Sequence, residues 1–294
     1  MSHQWAVHRT RLLLIVLAAI VAVATVLAVT SQAATARPSS SDVFHWSGGH
    51  KPVIVLEHGA WADASSWDKV IRLLQEDGFT VYAPPNPLRG LLPGQDSTYL
   101  HAFLTQNAAL AGHPVVLVGH SYGGAVITDA AVNAPEVKAL VYVDAFIPDQ
   151  GETLLQLISA QPGSCLGGNP ADVFNFVPYP GGPAGDVDTY IKPSLVPDCF
   201  ASGLPASQAS VIAAIQRPLA ASTLFEPSGT PAWKTVPSWD VIGTADQVLP
   251  PAAQAFMAQR AGAEVTEVNA GHLSMISRSE TVTKVIEQAA QATS

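Results

Sequence analysis

Three side chains that could carry out nucleophilic catalysis occur along the chain in the order serine, aspartate, histidine. Ser121 lies in the G-x-S-x-G pattern Gly119–Gly123, Asp246 lies in DVIGTADQVLP, and His272 lies in VNAGHLSMIS. A serine hydroxyl is a weak nucleophile until a histidine accepts its proton, and that histidine needs a carboxylate to hold its tautomer and stabilise its charge. The three residue types therefore predict Ser121 as the nucleophile, His272 as the base and Asp246 as the acid that orients it.

The two glycines of the G-x-S-x-G pattern suit a sharp turn from a strand into a helix. Gly119 follows the apolar run PVVLV, and a helical pattern begins after Ser121. Because glycine has no Cβ, the strand and the helix can approach closely while the serine adopts strained dihedral angles. The pattern alone also fits an ordinary strand-to-helix turn. The aspartate and the histidine that follow it in the expected order favour a catalytic serine.

The acid and the base each have an alternative interpretation. Asp144 ends the apolar run LVYVD and is the rival acid, although a structural role is favoured for it. Asp246 could instead cap a turn or a helix, and a histidine can be purely structural. His272, however, follows Ala270 and Gly271 in a predicted loop, which favours a catalytic position. We therefore predict Asp246 and His272 as the partners of the serine.

Backbone N–H groups that could bind a developing oxyanion are predicted on two turns. The segment LEHGAW follows the first apolar run, and its glycine lets the backbone turn inward. We predict the N–H groups of Ala60 and Tyr122 as the oxyanion hole, and Trp61 and His120 as substrate contacts. His58 is expected to hold this loop by hydrogen bonds.

The elements that must position these side chains alternate between apolar runs and helical patterns. Such alternation predicts right-handed crossovers and a mostly parallel α/β sheet of roughly six strands, flanked by helices. The carboxyl ends of parallel strands meet at one edge of the sheet, where the candidate catalytic residues lie. The predicted strands are PVIVLEHG, FTVYAP, PVVLVG, ALVYVDAF, SWDVIG and AEVTEVN, and the predicted helices cover 65–78, 98–109, the stretch after the serine up to about 132, 251–261 and 280–290.

The alternation of strands and helices fails between about residues 147 and 233. Proline and glycine become dense there, as in VPYPGGPAGD, and helical stretches such as ASQASVIAAIQRPLA do not alternate with strands. We predict that residues 147–233 form a cap inserted into an α/β domain covering 37–294. The aromatic residues of this cap either roof the site or form the cap's own core; they are Phe174, Phe176, Tyr179, Tyr190 and Phe200.

The first 36 residues have the pattern of an export signal. His8, Arg9 and Arg11 precede the apolar run Leu12–Val29, and small residues follow up to Ala36. A run of about 18 apolar residues also lies at the lower limit for a membrane span. We therefore predict a signal peptide over 1–36 and a secreted, extracellular protein, with an outward-facing membrane anchor as the alternative.

Cysteine usage and charge narrow the class of protein further. Cys165 and Cys199 are the two cysteines of the 294-residue sequence, and in an oxidising compartment they are expected to form a disulfide, with two free thiols as the alternative. Their spacing does not match a zinc site, so no metal is predicted. The net charge of −9, without clustered Lys and Arg, argues against a nucleic-acid partner. The sequence does not determine the oligomeric state.

The motifs HGAW, GHSYGG, GTADQVLP and AGHLSMIS, in this order, resemble the α/β-hydrolase superfamily. More narrowly, they resemble its small-esterase branch, which includes plant methylesterases and hydroxynitrile lyases. The resemblance covers essentially the whole chain after the signal segment. It implies a serine hydrolase without a cofactor that cleaves a small-molecule carboxylic ester through Ser121, His272 and Asp246, with the oxyanion held by Ala60 and Tyr122.

One position distinguishes the chemistries that this resemblance allows. The lyases of the branch carry a lysine directly after the catalytic histidine, whereas this chain has Leu273, so hydrolysis is expected. Dehalogenases carry an aspartate at the elbow and are disfavoured by Ser121. A cofactor-free perhydrolase shares the same three residues and stays an alternative. A ligand-binding protein on the hydrolase scaffold is the other alternative, because a fold does not fix a function.

Overall fold

The computed structural model describes residues 51–92, 95–179 and 181–293, and the predicted signal segment 1–36 lies outside them. The strands of the described residues are β1 (Val53–Glu57), β2 (Val81–Tyr82), β3 (Val115–His120), β4 (Val137–Val143), β5 (Phe174–Val177), β6 (Asp188–Ile191), β7 (Leu219–Ala220), β8 (Ser238–Gly243) and β9 (Glu264–Val268). The helices are α1 (Asp68–Glu76), α2 (Asp96–Gln106), α3 (Tyr122–Ala130), α4 (Leu154–Ser159), α5 (Pro170–Val173), α6 (Ala206–Ala214), α7 (Pro251–Ala261), α8 (Ser274–Ser277) and α9 (Ser279–Ala292).

Six parallel strands form the central sheet in the order β2-β1-β3-β4-β8-β9. Every residue of β1, β3 and β8 is buried, as expected of parallel strands that helices cover on both faces. The helix α9 packs against α1 and β4, α2 packs against α3, and α7 packs against β8. The predicted six-stranded α/β fold is therefore confirmed.

Several predicted boundaries differ from the observed ones. The strand predicted from FTVYAP is limited to β2, because Pro84 and Pro85 follow it and cannot donate to a ladder. The helix predicted over 98–109 ends at Gln106, since Asn107 is extended and its side chain accepts from the Ala109 N–H at 3.0 Å. The fourth strand ends at Val143 because the next residue, Asp144, adopts a φ of +48°.

The segment between β4 and β8 contains α4, α5, α6 and a small antiparallel sheet in the order β5-β6-β7. The predicted cap, residues 147–233, falls within this segment, and its status as a separate insertion stays a prediction. The predicted disulfide is present: Cys165 and Cys199 are bonded, with their Cα atoms 5.8 Å apart. It joins the stretch after α4 to the stretch before α6.

No helix within the described ranges has both the length and the apolar character that crossing a bilayer requires.

Candidate active site

Ser121 lies at the turn between β3 and α3, with φ +51° and ψ −121°. A Cβ on Gly119 would lie 2.6 Å from the Gly123 carbonyl oxygen, and a Cβ on Gly123 would lie 2.8 Å from the backbone oxygens of Glu57 and His58. Real Cβ atoms do not come this close to backbone. The two glycines of the pattern are therefore required by the close approach of β3, α3 and the end of β1.

The structure brings Ser121, His272 and Asp246 into one chain of hydrogen bonds. His272 Nε2 lies 2.9 Å from Ser121 Oγ, and His272 Nδ1 lies 2.8 Å from Asp246 Oδ2. In the tautomer that these contacts require, Nδ1–H donates to the carboxylate and Nε2 accepts from the hydroxyl. All three residues are buried. The arrangement can remove the proton of the serine hydroxyl and place it on a histidine that a carboxylate stabilises.

Four donors hold the carboxylate of Asp246. Its Oδ1 accepts from the N–H groups of Val248 and Leu249 at 2.8 and 3.1 Å. Its Oδ2 accepts from Gln254 Nε2 at 2.8 Å, in addition to the contact with His272. Apart from His272, the donors lie on the loop after β8 and on α7, so these two elements fix the orientation of the acid.

Asp144, the rival acid, makes different contacts. Its Oδ1 accepts from the Gly243 N–H at 2.8 Å, and its Oδ2 accepts from the Ser274 N–H at 3.0 Å. Burial, together with the nearby charge of Asp246, raises the pKa of Asp144 well above its ordinary value. Asp144 therefore ties the end of β8 to the loop that carries His272, and the acid bonded to the histidine is Asp246.

The two predicted oxyanion donors belong to segments that border the serine. Tyr122 is the first residue of α3, so its N–H is one of the groups that a helix leaves without an intrahelical partner. Ala60 follows Gly59, where a Cβ would lie 2.9 Å from Ser121 Cβ. The Tyr122 hydroxyl donates to Asp96 Oδ2 at 2.7 Å and so anchors the start of the helix.

His58, directly after β1, and His120, the last residue of β3, are both buried. His58 Nε2 accepts from the Asn86 N–H at 3.0 Å and Nδ1 contacts the Gly59 carbonyl at 2.9 Å, so His58 holds the loop as predicted. Burial lowers the pKa of His58 to about 4. His120 Nε2 donates to the His272 carbonyl at 2.8 Å, and burial lowers the pKa of His120 well below its ordinary value. These contacts support the His272 loop, and a substrate contact of His120 stays a prediction.

Aromatic rings cover the histidine and the predicted oxyanion loop. Trp61 stacks on Phe174 at 5.3 Å and meets the edge of Phe200 at 6.2 Å, and its Nε1 donates to the Thr189 carbonyl at 3.0 Å. The Phe200 ring lies 5.5 Å from the His272 ring. Of the aromatic residues predicted for the cap, these two phenylalanines pack toward the site. The others make different contacts: Phe176 is exposed, Tyr179 bonds to Asp186, and Tyr190 is half-buried.

A cavity of about 150 Å³ borders two of these rings, Trp61 and Phe200. Its lining is mainly apolar and includes Leu273, the neighbour of His272 in sequence. Ser121 is only 4% exposed and does not line the cavity. The apolar residues of its wall are Trp61, Ala62, Phe200, Val211, Ile212, Ile215, Leu273 and Ile276.

Some contacts of the site have no local signal in the sequence. Gln254 reaches Asp246 only because α7 packs with a particular register behind the loop after β8. Phe200 reaches His272 through a segment 72 residues earlier in the chain. Within the described part of the chain, no group of three or more His, Cys, Asp or Glu side chains is arranged to hold a metal ion.

Comparison with known proteins identifies the family to which this geometry belongs. A model of the alpha/beta hydrolase family matches residues 54–285 of the chain. The chain belongs to the alpha/beta hydrolase family. The match includes all three residues of the hydrogen-bonded chain, and the predicted resemblance is confirmed.

Individual proteins of known name resemble this chain over part or most of its length. It is 37% identical over 111 residues to a carbendazim hydrolyzing esterase from Nocardioides sp. (strain SG-4G), covering 35% of this chain and 46% of that protein. It is 33% identical over 108 residues to a pyrethroid hydrolase from Sphingobium wenxiniae, covering 34% of this chain and 38% of that protein. Each match spans less than half of the relative. A methylesterase structure from Arabidopsis shares the fold, with a TM-score of 0.64, 18% identity, and coverage of 81% of this chain and 98% of that chain.

Proposed function

We propose that the protein hydrolyses small to medium carboxylic esters through a covalent acyl-enzyme. The observation that carries the proposal is the chain of hydrogen bonds from Ser121 through His272 to Asp246, at 2.9 and 2.8 Å. The relatives named as a carbendazim hydrolyzing esterase and a pyrethroid hydrolase support the same class of reaction.

In the first half of the reaction the serine is acylated by the ester. Ser121 Oγ attacks the ester carbonyl carbon while His272 Nε2 takes the hydroxyl proton, and Asp246 stabilises the resulting imidazolium. The N–H groups of Ala60 and Tyr122 bind the oxyanion, and one such donor is typically worth about 10² to 10³ in turnover. His272 then gives its proton to the departing alcohol, which leaves the acyl group on the serine.

In the second half water removes the acyl group. His272 Nε2 takes a proton from water, and the hydroxide formed attacks the acyl carbonyl carbon. The second tetrahedral intermediate collapses to a carboxylic acid, and the serine oxygen recovers its proton from the histidine. Every proton moves through Nε2, so Nδ1 stays bonded to Asp246 throughout.

We infer the substrate class from the cavity that borders Leu273, the residue after His272. The apolar cavity beside Trp61, Phe200 and Leu273 suits an alkyl or aromatic group of the ester. Leu273 provides no positive charge for a leaving cyanide, which favours hydrolysis over lyase chemistry. A small-molecule ester with an apolar portion is therefore the substrate that we propose.

A fluorophosphonate probe tests the mechanism. We expect covalent labelling of the wild-type protein, loss of labelling in Ser121→Ala, and strongly reduced labelling in His272→Ala. Ser194→Ala changes an exposed serine and serves as the control that labels normally. Absence of labelling in the wild type contradicts the proposal and favours a ligand-binding protein.

The substrate class is tested by a panel of p-nitrophenyl esters of increasing acyl length, with methyl esters, aryl esters and lactones beside them. Hydrolysis that depends on Ser121 and prefers apolar esters supports the proposal. A mandelonitrile cleavage assay and a peracid assay run on the same samples detect lyase or perhydrolase chemistry. Dominant activity in either assay contradicts ester hydrolysis.

Export is a separate proposal that rests on the sequence of residues 1–36. Positive residues, an apolar run and a small-residue site in this order support a cleaved signal. N-terminal sequencing of the protein recovered from the medium is expected to begin after Ala33 or Ala36. Recovery of the intact N-terminus in the membrane fraction supports an anchor instead.

A further inference from the structure

One end of the Cys165–Cys199 disulfide is hydrogen-bonded to the loop that follows Asp246. The Cys165 N–H donates to the Gln247 carbonyl at 2.7 Å. The hydroxyl of the preceding residue, Ser164, donates to the Val248 carbonyl at 2.7 Å. Two consecutive residues next to the disulfide therefore hold two consecutive carbonyl groups of this loop.

The peptide group between Gln247 and Val248 links the disulfide to the carboxylate. Its carbonyl accepts from the Cys165 N–H, and its N–H donates to Asp246 Oδ1 at 2.8 Å. Hydrogen bonds arranged in series polarise one another, so each strengthens the next. The series runs from Cys165 through one peptide group to Asp246 and on to His272 Nδ1.

The other end of the disulfide packs on the loop that carries the histidine. Phe200 follows Cys199, is fully buried, and has its ring 5.5 Å from the His272 ring. A Cβ on Gly271 would lie 2.5 Å from both the carbonyl oxygen and the hydroxyl of Ser202. The segment after Cys199 is therefore in tight contact with Gly271, directly before the histidine, and its Phe200 ring lies near the His272 ring.

We propose that the disulfide positions the acid and the base of the site relative to each other. Cys165 acts through the peptide group that orients Asp246, the Ser164 hydroxyl beside it holds the next carbonyl of the same loop, and Phe200 acts by fixing the ring plane of His272. None of the three touches the reacting atoms, so all three are positioning residues. This inference rests on the proposed serine-hydrolase function.

Reduction of the full-length protein tests the proposal directly. Dithiothreitol gives two electrons and two protons to the disulfide, which leaves two thiols, and the reagent itself becomes a cyclic disulfide. We expect kcat for p-nitrophenyl acetate to fall about 10-fold, with KM changed less than about twofold, because misplacement of the base affects chemistry more than binding. Reoxidation restores kcat. The Cys165→Ser/Cys199→Ser double variant starts at the low kcat and does not respond to the reagent.

A spectroscopic measurement follows the hydrogen bond itself. The proton of His272 Nδ1 bonded to a carboxylate gives a far-downfield proton resonance. We expect this resonance to be sharp in the oxidised protein and broadened or lost after reduction, while circular dichroism shows that the fold is kept. The reading does not depend on turnover.

A variant that keeps the disulfide separates positioning from folding. Ser164→Ala removes the hydrogen bond to the Val248 carbonyl, and we expect kcat to fall about fivefold, the equivalent of one hydrogen bond. Ser194→Ala, an exposed serine between the two cysteines, keeps the wild-type kcat. If reduction unfolds the protein, the comparison of Ser164→Ala with Ser194→Ala tests the positioning role without breaking the disulfide.

The outcomes are distinguishable. A reduced but folded protein with wild-type kcat and an unchanged downfield resonance contradicts the positioning role, and so does an unaltered kcat in Ser164→Ala. If the oxidised protein neither hydrolyses esters nor reacts with a fluorophosphonate, the proposed function fails. The resonance alone then shows whether the disulfide positions the Asp246–His272 pair.

Discussion

At the scale of single residues, the nucleophile candidate is held in a conformation that side chains rarely adopt. Ser121 has a φ of +51°, where L-residues are strained and glycine is not. We expect the Ser121→Gly variant to be more stable than the Ser121→Ala variant, with a free energy of unfolding about 1 kcal/mol higher. Both variants lose the hydroxyl, but only glycine relieves the strain. Thermal and urea unfolding of the two inactive variants measure the difference. Equal stabilities would show that the elbow stores no strain.

The two aspartates near His272 are expected to respond differently to the same substitution. Asp246→Asn keeps the shape but presents an amide to Nδ1–H, which favours the wrong histidine tautomer, so kcat should fall by about 10⁴. Asp144→Asn removes one of two acceptors for backbone N–H groups, so it should lower the free energy of unfolding by about 1 to 3 kcal/mol. Ester turnover and urea unfolding are measured on both variants. A larger loss of kcat in Asp144→Asn would reverse the assignment of the acid.

At the scale of elements, α6 supplies one wall of the cavity beside the site. Ile212 lines this cavity, whereas Ser210 is exposed and does not. We expect Ile212→Trp to lower kcat/KM about 10-fold for an octanoyl or benzoyl ester, because the indole fills space that the apolar group needs. The same variant keeps kcat/KM for an acetyl ester within about twofold. Ser210→Trp adds the same side chain outside the cavity and should leave both esters unaffected.

Elements whose ends are marked by proline or glycine in the sequence were predicted with the correct ends. Both β8 and α7 have the predicted bounds, since Pro237 precedes the strand and Pro251 and Gly262 bracket the helix. The small sheet β5-β6-β7 was not predicted. Its ladders pair Phe174 with Ile191 and Thr189 with Leu219, and no local pattern specifies pairing between such distant residues.

The same distinction applies to the site. Ser121, Asp246 and His272 follow strands of one parallel sheet, so chain order and turn residues were enough to predict that they meet. Gln254 and Phe200 reach the site through packing between elements that only the folded chain defines. Residues on strand ends were therefore predictable, and the residues that support them were not.

At the scale of the whole molecule, buried histidines make stability depend on pH. The pKa of His58 is about 4 in the folded chain, mainly because of burial, against 6.5 for an ordinary histidine. As the pH falls, His58 is therefore protonated in the unfolded chain before it is protonated in the folded chain. The stability that its neutral form provides is complete above about pH 6.5 and is lost progressively between pH 6.5 and about pH 4. From the two values, the loss attributable to His58 is about 3 kcal/mol.

A variant without His58 measures how much this histidine contributes to the pH dependence of the free energy of unfolding. Burial raises the pKa of other groups, such as Glu57 and Asp240, and their effect has the opposite sign. His58→Gln keeps an acceptor for the Asn86 N–H. We expect its loss of unfolding free energy between about pH 7 and pH 4 to be smaller than that of the wild type by about 3 kcal/mol. An identical pH dependence in both proteins would contradict this account of His58.

The indole of Trp61 gives the molecule a built-in optical reporter. Its ring is enclosed by Phe174 and Phe200 and lies on the loop that borders the nucleophile candidate. Any ligand that displaces either phenylalanine alters the polarity around this ring and therefore its emission. The sequence contains six tryptophans, of which Trp5 lies in the predicted signal segment, and a Trp61→Phe variant supplies the constant background of the remaining ones. Subtracting the emission of Trp61→Phe from that of the wild type gives the emission of Trp61 alone. Its change with time follows the binding and release of unlabelled esters within a single turnover.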